Sequence, residues 1–118
     1  MVTLKKVAEV LEAQVVSGQE GLGRTVKQAC GSDMMSDVLA YAKEDFVLLT
    51  GNIQVVRTAD VSDAAALIFV RDKHPEQEVL LAAKDKGIPV LYTRYTMFEA
   101  CGRLYELGLR GCSAKDRK

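Results

Sequence analysis

The run AALIFV, residues 65–70, decides the fold. Six apolar residues follow one another without a polar residue at alternate positions, so a strand made from them has no solvent face. Two similar runs flank it, FVLLT at 46–50 and PVLYT at 89–93. Strands of this kind are covered above and below, and successive ones separated by helices run parallel. The expected architecture is α/β. A mainly parallel sheet built on 46–50, 66–70 and 89–92 is flanked by helices, with a strand at 25–30 (TVKQAC) alongside.

The intervening segments carry helical spacing. Thr3 is placed to cap a helix over 4–12, whose Leu4, Val7, Val10 and Leu11 share one face. A short apolar pair, Val15-Val16, follows. Ser32 or Asp33 opens a helix carrying Met35, Val38, Leu39 and Ala42, and QVVRTADVSDA (54–64) supplies a short one. The next is expected over 75–86, with Pro75 at the first helical position and Val79, Leu80 and Ala83 inward. Gly87 ends it in the left-handed region, letting Ile88 fold back onto the last turn. The closing helix, 96–107, places Met97, Cys101 and Leu104 on one stripe and Phe98, Gly102 and Tyr105 beside it, and Gly108 stops it.

A chain of 118 residues is long enough for one well-filled domain, expected over 1–111, with 112–118 as a flexible tail. Its 16 basic and 16 acidic residues cancel, which argues against a general nucleic-acid binder. No charged-then-apolar leader opens the sequence, and no apolar run approaches the roughly 18 residues of a membrane span. A cytoplasmic location without a membrane partner is expected. Cys30, Cys101 and Cys112 form no C-x-x-C pair, and one histidine cannot complete an ordinary zinc set, so the thiols read as reduced and structural. Asp33 and Asp37 lie four apart on one helix face, but two carboxylates make a thin cation site. No metal or cofactor is expected.

GQEGLGRT, residues 18–25, is one substitution from the phosphate loop G-x-x-x-x-G-K-[ST]. Such a loop needs a strand before it and a long helix starting inside it. Here two apolar residues precede it, Gly31 follows Thr25 by six residues, and Arg24 stands where lysine is required. The match is a decoy.

Ligands of an open parallel sheet bind beyond the carboxyl ends of its strands. Those ends deliver Thr50, Gly51 and Asn52 from the first run and Arg71, Asp72, Lys73 and His74 from the second. The third delivers Thr93, Arg94, Tyr95 and Thr96, and the 25–30 strand adds Ser32 and Asp33. Hydroxyls, backbone amides and three cations on one edge suit a phosphate or carboxylate. The same residues also read as caps and surface ion pairs, with Thr96, Ser32 and His74 capping helices and the arginines facing Asp72 and Glu99. His74 has no Ser, Cys or carboxylate arranged with it as a triad, and no catalytic set is found. Val55, Val56, Met97, Phe98 and Tyr105 either pack into the core, as most of them are expected to, or leave an apolar patch for self-association. A domain of this size with so many apolar helix faces is expected to be a homodimer.

The combination GLGRTV, GSDMMSDVLAYA, the Thr-Gly-Asn turn after FVLL, AALIFVRDKHPEQEVLLAAKDKGIPVLYT and YTMFEACGRLYELGL resembles the DRTGG domain family over about residues 4–109. Where that family writes D-R-T-G-G, this chain has Gly23-Arg24-Thr25-Val26-Lys27, so only Arg24 and Thr25 match. The resemblance implies a fold like the N-terminal domain of HPr kinase/phosphorylase. It also implies a regulatory, non-catalytic role like that of the module inside phosphotransacetylases and between the CBS domains of pyrophosphatases. The expected function is sensing of a small anionic ligand, phosphate-containing and of the nucleotide kind, through Thr50, Gly51, Asn52, Arg71, Lys73, Thr93, Arg94 and Thr96. The alternative is a protein-interaction module acting on a larger enzyme.

Overall fold

The structure is a computed structural model and describes residues 2–32, 45–52 and 64–111. The helix expected after Ser32, and that expected over 54–64 except for Ala64, which is in strand, lie outside those residues, as do Asp33, Asp37, Val55, Val56, Cys112 and the segment 112–118. In chain order the elements are β1 (Val2–Thr3), α1 (Leu4–Val10), β2 (Gln14–Ser17), a single 3-10 turn (Gln19–Gly21), β3 (Thr25–Val26) and β4 (Gln28–Gly31). They continue with β5 (Phe46–Thr50), β6 (Ala64–Phe69), α2 (Gln77–Asp85), β7 (Val90–Tyr92), α3 (Met97–Leu107) and β8 (Arg110–Gly111).

Six strands form the main sheet in the order β2-β7-β6-β5-β4-β8, parallel throughout except for β2. The three apolar runs are neighbours at its centre, as their composition requires. Every residue of β5 and β6 is buried. Side chains alternate between two cores. Val47, Leu49, Ile68, Val70 and Leu91 face α1 and α3, while Phe46, Leu48, Leu67, Phe69 and Val90 face α2.

The three α-helices among the described residues close in the same way. At the end of α2 the Gly87 N–H donates to Lys84 O at 3.0 Å and the Ile88 N–H to Ala83 O at 2.9 Å, with Gly87 at φ 74°. This is the Schellman closure that Gly87-Ile88 predicts. Gly108 and Leu109 repeat it on Tyr105 O and Leu104 O at the end of α3. At the end of α1 the left-handed residue is Glu12, φ 51°, with Glu12 donating to Glu9 O and Ala13 to Ala8 O.

The structure corrects two expectations and fills in two edges. The 25–30 segment is not one strand. Lys27 and Gln28 both donate to Asp45 O, at 2.9 and 3.4 Å, and that shared acceptor divides it. Thr25–Val26 pairs antiparallel with Val2–Thr3 in a separate ladder, while Gln28–Gly31 joins β5 in the main sheet. Helix α2 starts at Gln77 rather than Pro75, with Glu76 as its N-cap at ψ 160°. Pro75 is buried and His74 is held against β7, so the chain stays extended for two more residues. Neither His74 nor Pro75 opens the helix. Val15-Val16 belongs to the edge strand β2, which has an irregularity between Val15 and Ser17, and Gly111 belongs to the opposite edge strand β8.

Two glycines separate backbone strain from collision. A Cβ on Gly87 meets nothing within 4 Å, whereas one on Gly18, φ 81°, stands 2.5 Å from Pro89 Cα. Gly87→Ala should therefore cost only the left-handed strain, about 1 kcal/mol. Gly18→Ala should cost about 2–4 kcal/mol, since overpacking against backbone adds to the strain. Urea denaturation of both variants checks the ranking, which equal midpoints would refute.

Candidate functional site

The strand carboxyl ends form one rim. Thr50 is in register with Phe69, and Phe69 with Tyr92. The link after β6 runs to α2 on one face of the sheet, and the link after β7 runs to α3 on the other. Adjacent strands whose links part to opposite faces define the switch point where open sheets hold ligands. Residues 71–76 and 93–96 flank it.

The rim is stitched by its own backbone. Val70 donates to Thr50 O at 3.1 Å and Thr93 to Phe69 O at 2.9 Å. Arg71 and Asp72 are both left-handed, φ 56° and 58°, in a tight turn that Lys73 closes by donating to Val70 O at 3.1 Å. Non-glycine residues pay for that conformation with roughly 1–3 kcal/mol each and hold it only where surroundings impose it. Here the Arg71 N–H donates to Tyr95 O at 2.8 Å and the Asp72 N–H to Thr93 O at 2.9 Å. These amides are spent on protein carbonyls, which leaves the side chains as the groups this turn presents. Those of Arg71, Lys73 and, across the switch point, Arg94 are exposed.

The hydroxyls face inward or cap. Thr93, 1 % exposed, donates from Oγ1 to Leu11 O at 2.8 Å and accepts from Tyr95 N at 3.3 Å. The buried Thr50 hydroxyl accepts from Asn52 N at 3.0 Å, which fixes the Thr-Gly-Asn turn. Thr96 caps α3, accepting from Glu99 N at 3.4 Å. The expected acidic partners pair elsewhere: Asp72 Oδ1 lies 2.9 Å from His74 Nε2, and Glu99 accepts from Arg103 Nε at 2.9 Å. The His74 ring stacks on Tyr92, with centroids 3.9 Å apart and planes 13° from parallel.

Tyr95 ties the rim to α1. Its hydroxyl donates to Glu12 Oε2 at 2.8 Å, and the Arg103 guanidinium lies 4.1 Å above its ring. The hydrogen bond to the Glu12 carboxylate, reinforced by desolvation, raises the phenol above its ordinary value, because both favour the neutral form. The bond is therefore fully present below the ordinary tyrosine range and lost as pH rises through the raised value.

Arg24 and Thr25 lie at the other end of the sheet. Arg24 Nη2 is 3.3 Å from Asp45 Oδ1, just ahead of β5, and Thr25 pairs with Thr3. The carbonyls of Arg24 and Leu22 accept from the first amides of α1, Leu4 and Lys5, each at 2.9 Å. Residues 18–25 form a 3-10 turn followed by a two-residue strand, with no helix rising from them. At the same end is a feature the sequence did not signal, a cavity of about 270 Å³ lined by Val16, Ser17, Gly18, Gln19, Glu20, Lys84, Gly87 and Ile88. The Cys30 and Cys101 side chains lie on opposite faces of the sheet, and burial pushes the Cys101 thiol up, away from reactivity. Among the described residues no His, Cys, Asp and Glu side chains cluster in a metal-holding group, and no helix is long and apolar enough to cross a membrane.

The DRTGG domain family matches residues 6–107, nearly the whole chain. The chain belongs to the DRTGG domain family. Its fold is also that of a solved relative, described as the CBS and DRTGG domains of the regulatory region of Clostridium perfringens pyrophosphatase complexed with activator, diadenosine tetraphosphate. The TM-score is 0.66 at 17 % identity, over 86 % of this chain and 45 % of that one. This DRTGG domain thus spans less than half of the pyrophosphatase fragment. No curated protein matches it in sequence.

Thr93 offers the sharpest test of the stitched rim. Thr93→Val keeps the shape but leaves the Leu11 carbonyl without that donor, so it should destabilise this DRTGG domain by about 1–3 kcal/mol. Thr93→Ser should recover most of the loss. Chemical denaturation measures both, and a valine variant as stable as the parent refutes the role.

Proposed function

We propose that this DRTGG domain is a non-catalytic sensor of a small phosphate-bearing anion of the nucleotide class, bound at the rim where β6 and β7 part. The observation that carries this is the placement of three exposed cations, Arg71, Lys73 and Arg94, on two neighbouring strand tips. The hydrogen-bonded rim holds their backbone in place before any ligand arrives. Gly51 and Asn52 border the site from the β5 tip, while Thr50, Thr93 and Thr96 act from behind by fixing the three loops. That the pyrophosphatase regulatory region is complexed with diadenosine tetraphosphate supports the nucleotide class. The buried threonine hydroxyls are committed to protein atoms, which favours binding over turnover. A cytoplasmic location agrees with such a ligand.

Isothermal titration with ATP, diadenosine tetraphosphate and inorganic tripolyphosphate tests the reading. Each lost charge-assisted contact should weaken binding by roughly 10–100-fold, so Arg71→Ala with Arg94→Ala should abolish measurable affinity. The reading fails if no probe binds the parent, or if the double variant binds as the parent does.

A second reading, contact with another protein, rests on the outer face of α3. Phe98 is 89 % exposed and Tyr105 64 %, and Gly102 lies between them with nothing within 4 Å of a built Cβ. A mid-helix glycine costs up to about 1 kcal/mol, and nothing among the described residues accounts for it. Antiparallel packing on a second copy does: the glycines allow close approach, and Phe98 of each helix meets Tyr105 of the other. We propose a homodimer on this face, leaving the rim open to the ligand and to a larger enzyme whose activity the domain modulates. Sedimentation equilibrium should show Phe98→Glu shifting dimer to monomer with the fold intact. A parent that is monomeric at high micromolar concentration removes the dimer.

A further inference from the structure

The link from β6 to α2 carries an aromatic side chain that the phosphate reading leaves unused. His74 has one ring face on Tyr92, with centroids 3.9 Å apart and planes 13° from parallel. With that face covered, its side chain still exposes 54 % of its surface, so the opposite face is open to solvent. The ring is also held. Its Nε2 lies 2.9 Å from Asp72 Oδ1, Asp72 is fixed in its left-handed turn by Thr93 O, and the following Pro75 is buried. Tyr92 is itself the last residue of β7, packed on the α2-side core. A flat ring on a rigid backing, one face open, is a stacking platform, and its neighbours in the chain, Arg71 and Lys73, are two of the rim cations.

We infer that His74 receives the base of a purine nucleotide whose phosphates lie on Arg71 and Lys73. This rests on the rim reading and adds the chemical class of the remainder of the ligand. The platform itself carries no base-edge code. It favours purine over pyrimidine by contact area, because stacking scales with overlap. A stacked base is worth about 1–3 kcal/mol, that is roughly 5–150-fold in affinity. The left-handed turn acquires a purpose here, since a relaxed turn would carry Asp72 away and release the ring.

The test is a titration of ATP, CTP and inorganic tripolyphosphate against the parent, His74→Ala and His74→Phe. The parent should bind ATP at least five-fold tighter than tripolyphosphate, and CTP in between. His74→Ala should lose the ATP advantage while keeping the tripolyphosphate affinity, and His74→Phe should restore it. The exposed position makes both variants compatible with the parental melting temperature, which is recorded alongside. Equal binding of ATP and tripolyphosphate by the parent, or an ATP advantage surviving in His74→Ala, overturns the platform and leaves the rim cations standing. CTP matching ATP overturns the purine preference. Failure of every probe to bind overturns both readings.

Discussion

The molecule depends on β6 being covered on both faces. Ala64, Ala65, Ala66, Leu67, Ile68 and Phe69 are each at most 1 % exposed. A strand that dry must satisfy its backbone entirely within the sheet and its side chains entirely against helices. The sheet supplies the first, with β5 and β7 parallel on either side. The second forces a three-layer arrangement, with α1 and α3 on one face and α2 on the other. Burying these six apolar side chains, three alanines with Leu67, Ile68 and Phe69, favours folding, and it explains why the runs carry almost no polar residues.

Covering both faces also creates the rim. From β4 to β7 each new strand is added on the same side of the last, and then the chain must return to cover the opposite face. It does so through α3, which crosses back to deliver β8 beside β4. The links after β6 and β7 therefore run to opposite faces of the sheet, and where they leave it they are bonded to each other, Arg71 N–H to Tyr95 O and Asp72 N–H to Thr93 O. Backbone hydrogen bonds close this end of the sheet, and the Arg71, Lys73 and Arg94 side chains are exposed around it.

How much of this was readable from sequence follows from what each signal measures. Apolar runs report burial on two faces, so β5, β6 and β7 and their common direction were legible, as were the helix ends at Gly87 and Gly108, where only a residue without Cβ adopts the closing conformation cheaply. Edge strands are half solvated and short, which is why β2 and β8 left only a pair of valines and an Arg-Gly as traces. The break at Lys27 depends on the Asp45 carbonyl eighteen residues away, a contact no local pattern encodes. The rim cations were legible as residues following apolar runs. The left-handed Arg71-Asp72 turn was not, because Asn-Gly or Asp-Gly is the usual signature and here tertiary bonds do the work of glycine. His74 read as a loop residue or cap because stacking on Tyr92 spans eighteen residues of sequence.

The position of Arg24 and Thr25 has a physical consequence for the rim. Helix α1 is seven residues, about 10 Å, and both its ends are held. Its first amides donate to the carbonyls of Leu22 and Arg24, and beyond its last turn Leu11 O accepts from Thr93 while Glu12 accepts from Tyr95. The helix is thus a strut between the Leu22–Arg24 segment and the loop that follows β7. Val26, 2 % exposed in the α1-side core, fastens the same segment by burial. A change at that end should therefore be felt in the Thr93–Tyr95 loop through the setting of α1. The segment acts as a brace on the loop that follows β7.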